Sequence, residues 1–325
     1  MYIRISAQQH FLRFKTPFRI AHGVREGTNV VIVKAEYDGK MGFGEASLPP
    51  YLPATVDSTL NLLSDKLLSQ IAFPFDIPSI TQQLGERFEG EMPAKAALEM
   101  ALWNLKSQCE GRLIAEILNI GSSGNKTPHF YTIGIGSKSE MKDKIADGLS
   151  FGFDHFKLKL NGENDIDIIK NFRELTDAAF AVDVNQGWKE LQEACTVSDF
   201  LEKSGCLLLE QPFDKADRIM SKHLKENYTM PVIADEACQL PQDLPDLEES
   251  FDGVNIKLQK CGGMTNALKM IHTAKAMNMK LLIGCMSESS IGCGVAEELT
   301  PLCDWADLDG PFLTVDIPNP DELFS

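Results

Sequence analysis

The chain is 325 residues long, more than most single domains hold, so a large domain with a smaller one appended fits its length. With 43% hydrophobic and 24% charged residues it lacks the bias of a disordered or fibrous protein. A net charge of −16 repels phosphate backbones and anionic bilayers, which argues against nucleic-acid and membrane partners and leaves divalent cations and small molecules.

The opening segment, MYIRISAQQHFLRF, alternates polar and apolar residues and has neither the apolar core nor the cleavage site of an export signal. The eight cysteines form no CxxC and no zinc spacing with histidine, so a reducing cytoplasm is the expected compartment. Residues 2–15, 28–38 and 41–47 read as a small antiparallel sheet, with a tight turn at Asp38-Gly39 and a loop over 17–30. Helical patterns follow at 55–70, 76–89 and 93–109. The last opens at Pro93, and its recurring alanines suit close approach of another helix. Together these predict an α+β domain over residues 1–125.

From Phe130 onward short apolar segments alternate with helical patterns. The strand candidates are 131–135, 155–160, 180–185, 206–212, 231–236, 253–258, 281–286 and 306–310, at intervals of 22 to 28 residues. Eight βα units in succession close most economically into a (β/α)8 barrel, predicted over 126–310, with the tail 311–325 packing on the first domain. A doubly wound open sheet is the alternative. The barrel is preferred because no glycine-rich phosphate turn follows any strand.

Barrel enzymes build their sites at strand C-terminal ends, and here those ends carry Lys159, Asp183, Glu210, Asp235 and Lys257 on five consecutive strands. Lys157 shares a strand face with Lys159. Three carboxylates converging at one mouth repel unless a hard cation neutralises them, and Mg²⁺, one per chain, is the expected ion. A carboxylate substrate on that ion would place its α-carbon between Lys159 and Lys257. A lysine there is a proton-transfer base if its neighbours lower its pKa, and Lys157 would stabilise the enediolate charge. Taken singly each motif has a plainer reading. KxK alone is usually a solvated strand face, an acid at a strand end is often a helix cap, and Asp307-Leu308-Asp309-Gly310 could be a turn. Lys260 reads as positioning its loop, and Met286 as core.

The KxK of FKLKL, the Asp of VDVNQGW, the EQP of LLLEQPF, the DE of IADE and the Lys of NIKLQKCGG resemble the enolase superfamily, muconate lactonizing enzyme subgroup. The resemblance spans nearly the whole chain. It implies a modified barrel under a capping domain, with Asp183, Glu210 and Asp235 as metal ligands and Lys159 and Lys257 as the acid/base pair. Asn185 and Glu236 would support the ligands. Asp307 and Asp309, expected on one strand face, resemble the acidic pair with which the family's dipeptide epimerases hold a substrate ammonium. The resemblance therefore implies epimerisation of L-Ala-D/L-Glu or a related L-Ala-X dipeptide, with Arg25 or Arg19 meeting a side-chain carboxylate. Thr132, Met286 and Glu288 are the further candidate substrate contacts. An o-succinylbenzoate synthase or a muconate-type cycloisomerase is the alternative. A homo-oligomer is compatible with the sequence.

Overall fold

The computed structural model describes residues 2–20, 23–121, 126–317 and 319–324. Strands β1 (Arg4–Ile20), β2 (Gly23–Tyr37) and β3 (Lys40–Leu48) form an antiparallel sheet in that order. Asp38 and Gly39, both at positive φ, turn β2 into β3, which is what a tight hairpin of the right twist requires. The loop expected over 17–30 is instead a continuation of the β1–β2 ribbon, with Phe18 opposite Arg25. Register breaks between Arg13 and Phe18, so Pro17, which has no N–H to give a ladder, sits in the irregular stretch.

Helix α1 (Val56–Leu63) stops seven residues short of the expected end, and a single 3-10 turn, Leu68–Gln70, completes the segment. The stop is local: the Asp65 carboxylate accepts the Leu67 N–H, competing with helical pairing. Helices α2 (Ile77–Arg87) and α3 (Met92–Glu110) follow, then the short α4 (Ile114–Ile117). The alanine face of α3 meets β3 rather than another helix. A Cβ at Gly44 would lie 1.9 Å from the Ala97 carbonyl oxygen, and one at Gly42 would lie 2.2 Å from that of Ala101. Glycine on the strand and alanine on the helix thus allow backbone to rest almost on backbone. Gly44→Ala should cost about 3 kcal/mol in urea unfolding, because a rigid backbone atom cannot yield. A loss under about 0.5 kcal/mol would contradict this packing.

The remainder is an eight-stranded parallel sheet: β4 (Phe130–Ile133), β5 (His155–Lys159), β6 (Ala179–Asp183), β7 (Cys206–Glu210), β8 (Val232–Ala234), β9 (Gly253–Lys257), β10 (Lys280–Gly284) and β11 (Trp305–Asp307). It closes where the Ala306 N–H donates to the Pro128 carbonyl beside β4. Helices α5 (Lys138–Ser150), α6 (Asp165–Leu175), α7 (Leu191–Lys203) and α8 (Arg218–Asn227) follow β4 to β7. After β9 come α9 (Leu258–Cys261) and α10 (Met264–Ala276), and after β10 comes α11 (Ser290–Glu297). The crossover after β8 differs from the eight regular βα units expected. It carries only a 3-10 helix, Pro241–Asp246, since Pro245 inside it lacks the N–H of an α-helical turn.

After β11 a single turn, α12 (Gly310–Leu313), leads to a tail that returns to the first sheet, where the Val315 N–H donates to the Arg13 carbonyl. A last short helix, α13 (Pro320–Leu323), ends the chain's described elements.

Strand periodicity builds the site in two layers. Phe130, Ala181, Leu208, Ile233 and Leu282 cluster as a separate buried core. Each stands two residues before Thr132, Asp183, Glu210, Asp235 and Gly284 respectively, hence on the same strand face and one step deeper. The apolar layer is the floor, and the polar residues above it are the mouth.

Candidate active site

Lys159 pairs in register with Asp183, and Asp183 with Glu210, so three neighbouring strands deliver their polar ends at one level. Asp183, Glu210 and Asp235 converge so that one carboxylate oxygen from each lies within 4.8 Å of the others, and all three are buried. Lysines surround them. Lys159 Nζ donates to Asp183 Oδ2 at 2.6 Å and Lys257 Nζ to Asp235 Oδ2 at 2.7 Å. Lys157 Nζ lies 2.7 Å from Glu210 Oε2 and 2.5 Å from Asp307 Oδ2. The contact with Glu210 is an ion pair without hydrogen-bond alignment, so buried Glu210 Oε2 accepts no hydrogen bond. That oxygen, in a set of three hard oxygen donors, fits a small divalent cation.

Burial opposes ionisation of Asp183 and Asp235, yet Lys159 and Lys157 beside the first, and Lys257 and Lys260 beside the second, hold both below the usual carboxylate range. Glu210 goes the other way, pushed up to about 7 by burial and by Asp183. Burial pushes Lys257 down, but attraction to Asp235 and Glu210 outweighs it and leaves the ammonium above the lysine range.

A cavity of about 630 Å³ opens over the cluster, walled by Thr132, Lys159, Lys257, Asp307, Asp309 and, from the first sheet and its following loop, Arg25 and Tyr51. The Arg25 guanidinium lies against the rings of Phe14 and Tyr51, 5.4 and 5.8 Å from their centroids. His22 and the side chain of Arg19 lie outside the described residues. Met286, read as core in isolation, stands on the cavity wall with Tyr51 Oη donating to its sulfur at 3.4 Å.

Two expectations need correction. Asp309 is not on the strand with Asp307: β11 ends at Asp307, and Asp309 caps the turn that follows. Its Oδ2 accepts the Thr132 N–H at 2.5 Å, while Asp307 Oδ1 takes the Thr132 hydroxyl at 3.3 Å. Both acids line the cavity, and burial together with Asp307 pushes Asp309 up to about 7.

Glu288 does not reach the cavity. Its carboxylate turns back to accept the Met286 N–H at 2.7 Å and Gln259 Nε2 at 3.0 Å. Gln259 Nε2 also donates to the Glu45 carbonyl, and the Glu45 side chain accepts the Ser289 N–H at 3.0 Å, so these residues join β3 to the barrel. Burial, then the charge of Glu288, pushes Glu45 up to about 8. The unfolded chain loses that proton near pH 4.5, so unfolding releases a proton between the two values. The stability tied to the protonated form is complete below pH 4.5 and is lost as pH rises through about 8. Glu45→Gln cannot ionise. Its stability relative to the parent should therefore grow by roughly 5 kcal/mol across that window in denaturant titrations, and a constant difference would refute the assignment.

Four residues hold the site together that sequence reasoning did not place there, although it read one of them, Lys260, as positioning its loop. Gln211 Oε1 accepts the N–H groups of Asp235 and Ala237, tying β7 to the β8 end. Asn255 Nδ2 donates to Glu210 Oε1 at 2.8 Å, and Lys260 Nζ donates to Asp235 Oδ1 at 2.5 Å. Tyr51 is the fourth. Asn255 had a positional signal: it stands two residues before Lys257 and so faces the same interior. Asn185, expected to support the ligands, does so through its backbone N–H to Asp183 Oδ1 at 2.9 Å, and its amide reaches Glu236.

The sequence matches the mandelate racemase / muconate lactonizing enzyme N-terminal domain over residues 3–119 and the enolase C-terminal domain-like family over residues 140–303. The chain belongs to this enolase-superfamily family. It is 37% identical over 303 residues to the L-Ala-D/L-Glu epimerase of Bacteroides thetaiotaomicron, covering 93% of this chain and 78% of the relative. Among solved structures, the substrate-liganded L-Ala-D/L-Glu epimerase from Bacillus subtilis superposes with a TM-score of 0.89 at 28% identity, over 97% of this chain and 92% of that one. The Enterococcus faecalis V583 dipeptide epimerase, complexed with Mg and L-Leu-L-Tyr, gives 0.89 at 29% identity, over 98% and 93%. In this family member the barrel is the eight-stranded sheet and the cap is the three-stranded sheet with α1 to α3. Among the described residues no helix is long and apolar enough to cross a membrane.

Proposed function

We propose that this protein is a Mg²⁺-dependent epimerase of L-Ala-X dipeptides that inverts the α-carbon of the second residue. The observation that carries the reading is the placement of Lys159 on β5 and Lys257 on β9. These strands lie four apart in a ring of eight, the widest separation possible, and the three carboxylates occupy the strands between. A substrate carboxylate held at the triad puts its α-carbon between two lysines on opposite faces.

Asp183, Glu210 and Asp235 would hold the cation, which when bound neutralises the negative charge that develops as the α-proton leaves. Lys159 and Lys257 take the proton from one face of the α-carbon and return one on the other. Lys157, buried and kept charged, stabilises the enediolate oxygen. Asp307 and Asp309 receive the ammonium of the first residue, and Arg25 in the wall favours an acidic second residue such as Glu. Residues 1–125 with the tail 311–325 act as the cap and 126–310 as the catalytic barrel. The eight cysteines, all free thiols, suit a reducing cytoplasm. A cycloisomerase or o-succinylbenzoate synthase would bring a substrate carboxylate against Asp307 and Asp309, where two buried acids repel it.

The test is exchange in D₂O. L-Ala-L-Glu and a panel of L-Ala-X dipeptides should wash in deuterium at the second α-carbon while epimerising, and a panel wholly without exchange would defeat the reading. Asp307→Asn separates ammonium capture from a structural role. Its kcat/KM should fall about 100-fold on L-Ala-L-Glu, the size of one lost buried ion pair, and far less on N-acetyl-L-glutamate, which has no ammonium. Equal losses on both would assign Asp307 to holding Lys157 alone.

A further inference from the structure

Each of the three acidic residues at the mouth has one oxygen already taken by a fixed internal donor. Asp183 Oδ1 accepts the Asn185 N–H at 2.9 Å, Glu210 Oε1 accepts Asn255 Nδ2 at 2.8 Å, and Asp235 Oδ1 accepts Lys260 Nζ at 2.5 Å. The other oxygen of each meets a lysine of the site: Asp183 Oδ2 with Lys159, Glu210 Oε2 with Lys157, Asp235 Oδ2 with Lys257.

The two sets of donors differ in how firmly they are held. Lys260 spends all three of its N–H groups, on Asp235 Oδ1, the Asp235 carbonyl at 2.7 Å and the Asn255 carbonyl at 2.8 Å. It is buried and cannot swing aside without stranding two backbone carbonyls. Asn255 is seated against Gly284, where a Cβ would lie 2.6 Å from its Oδ1, so the glycine makes the room the amide needs. The Asn185 N–H is part of the backbone. Lys159 and Lys257, by contrast, line the cavity.

Building on the metal site proposed above, we infer that Asn255, Lys260 and the Asn185 N–H hold the three ligands to one oxygen each and thereby select Mg²⁺ over Ca²⁺. Ca²⁺ gathers six to eight oxygens, often taking carboxylates through both, at about 2.3–2.6 Å. Mg²⁺ takes six at about 2.0–2.1 Å and accepts one from each carboxylate. A site whose second oxygens are locked away gives Mg²⁺ its three protein ligands and denies Ca²⁺ the coordination it needs. Asn255 and Lys260 are positioning residues: they act through Glu210 and Asp235.

The experiment is calorimetric titration of the metal-free, full-length protein with MgCl₂ and with CaCl₂, without substrate. The native protein should bind Mg²⁺ at least about 10-fold more tightly than Ca²⁺. Asn255→Ala and Lys260→Met each free one oxygen, and each should shrink the ratio of the two dissociation constants about 10-fold or more. Gly284→Ala, which pushes the Asn255 amide away without removing it, should shift the ratio in the same direction. A native protein that binds Ca²⁺ as tightly as Mg²⁺ overturns the inference whether or not the variants fold. So does a ratio unchanged in folded Asn255→Ala and Lys260→Met. Failure of the native protein to bind either ion would remove the metal-site reading along with it.

Discussion

Lys159→Ala and Lys257→Ala should each abolish epimerisation, by about 10³- to 10⁴-fold, while each keeps deuterium exchange of one epimer only, and the two variants should keep opposite epimers. The cause is geometric. With β5 and β9 across the barrel from each other, each lysine reaches one face of the α-carbon. A protein that retains a single lysine can still remove the proton on that lysine's side and return a solvent deuteron to the same side. It cannot deliver one to the other side, so configuration is retained. Proton NMR of L-Ala-L-Glu and L-Ala-D-Glu in D₂O reads both processes separately. If both variants exchanged the same epimer, or if either still epimerised at a rate near the parent, the two-lysine assignment would be wrong.

Stripping divalent cations with EDTA should bring turnover to background, a fall of at least about 10⁴-fold, and excess Mg²⁺ should restore it. An enediolate dianion forming beside Asp183, Glu210 and Asp235 would meet three buried carboxylates, and the surrounding lysines are already committed to those acids. The same lysines predict that the stripped protein stays folded, since they compensate the triad themselves. Circular dichroism should therefore be unchanged by EDTA, while Mg²⁺ at about 100 times its dissociation constant should add roughly 2.7 kcal/mol to stability. Glu210→Gln should weaken Mg²⁺ binding and lose activity together. A fully active stripped enzyme would sink the metal reading, and unfolding on stripping would show that the lysines do not balance the acids.

How much of the fold and site is legible in the sequence varies with the range of the interaction. The eight strands are readable because each is a short apolar run set at a regular interval. Their polar ends are readable because residues two apart share a face, and that spacing alone puts Asp183, Glu210 and Asp235 at one mouth. Asp38-Gly39 is readable from the positive φ that its turn demands. The far end of the β1–β2 ribbon, within 17–30, reads as a loop because its pairing depends on a partner strand, and the alanines of α3 suggest a helix partner when glycines on β3 receive them. Glu288 reads as bound for the cavity, but Gln259 and the Met286 N–H claim its carboxylate.

By itself the sequence determined the barrel, the acid triad and the flanking lysines, since those follow from periodicities of two and of about 25 residues carried within single strands and single βα units. Tertiary structure alone decided which donor each acid oxygen meets, that β11 ends before Asp309, and that Lys257 pairs with Asp235. Those outcomes are sums over donors and charges arriving from different strands, and no local pattern encodes which of them meet.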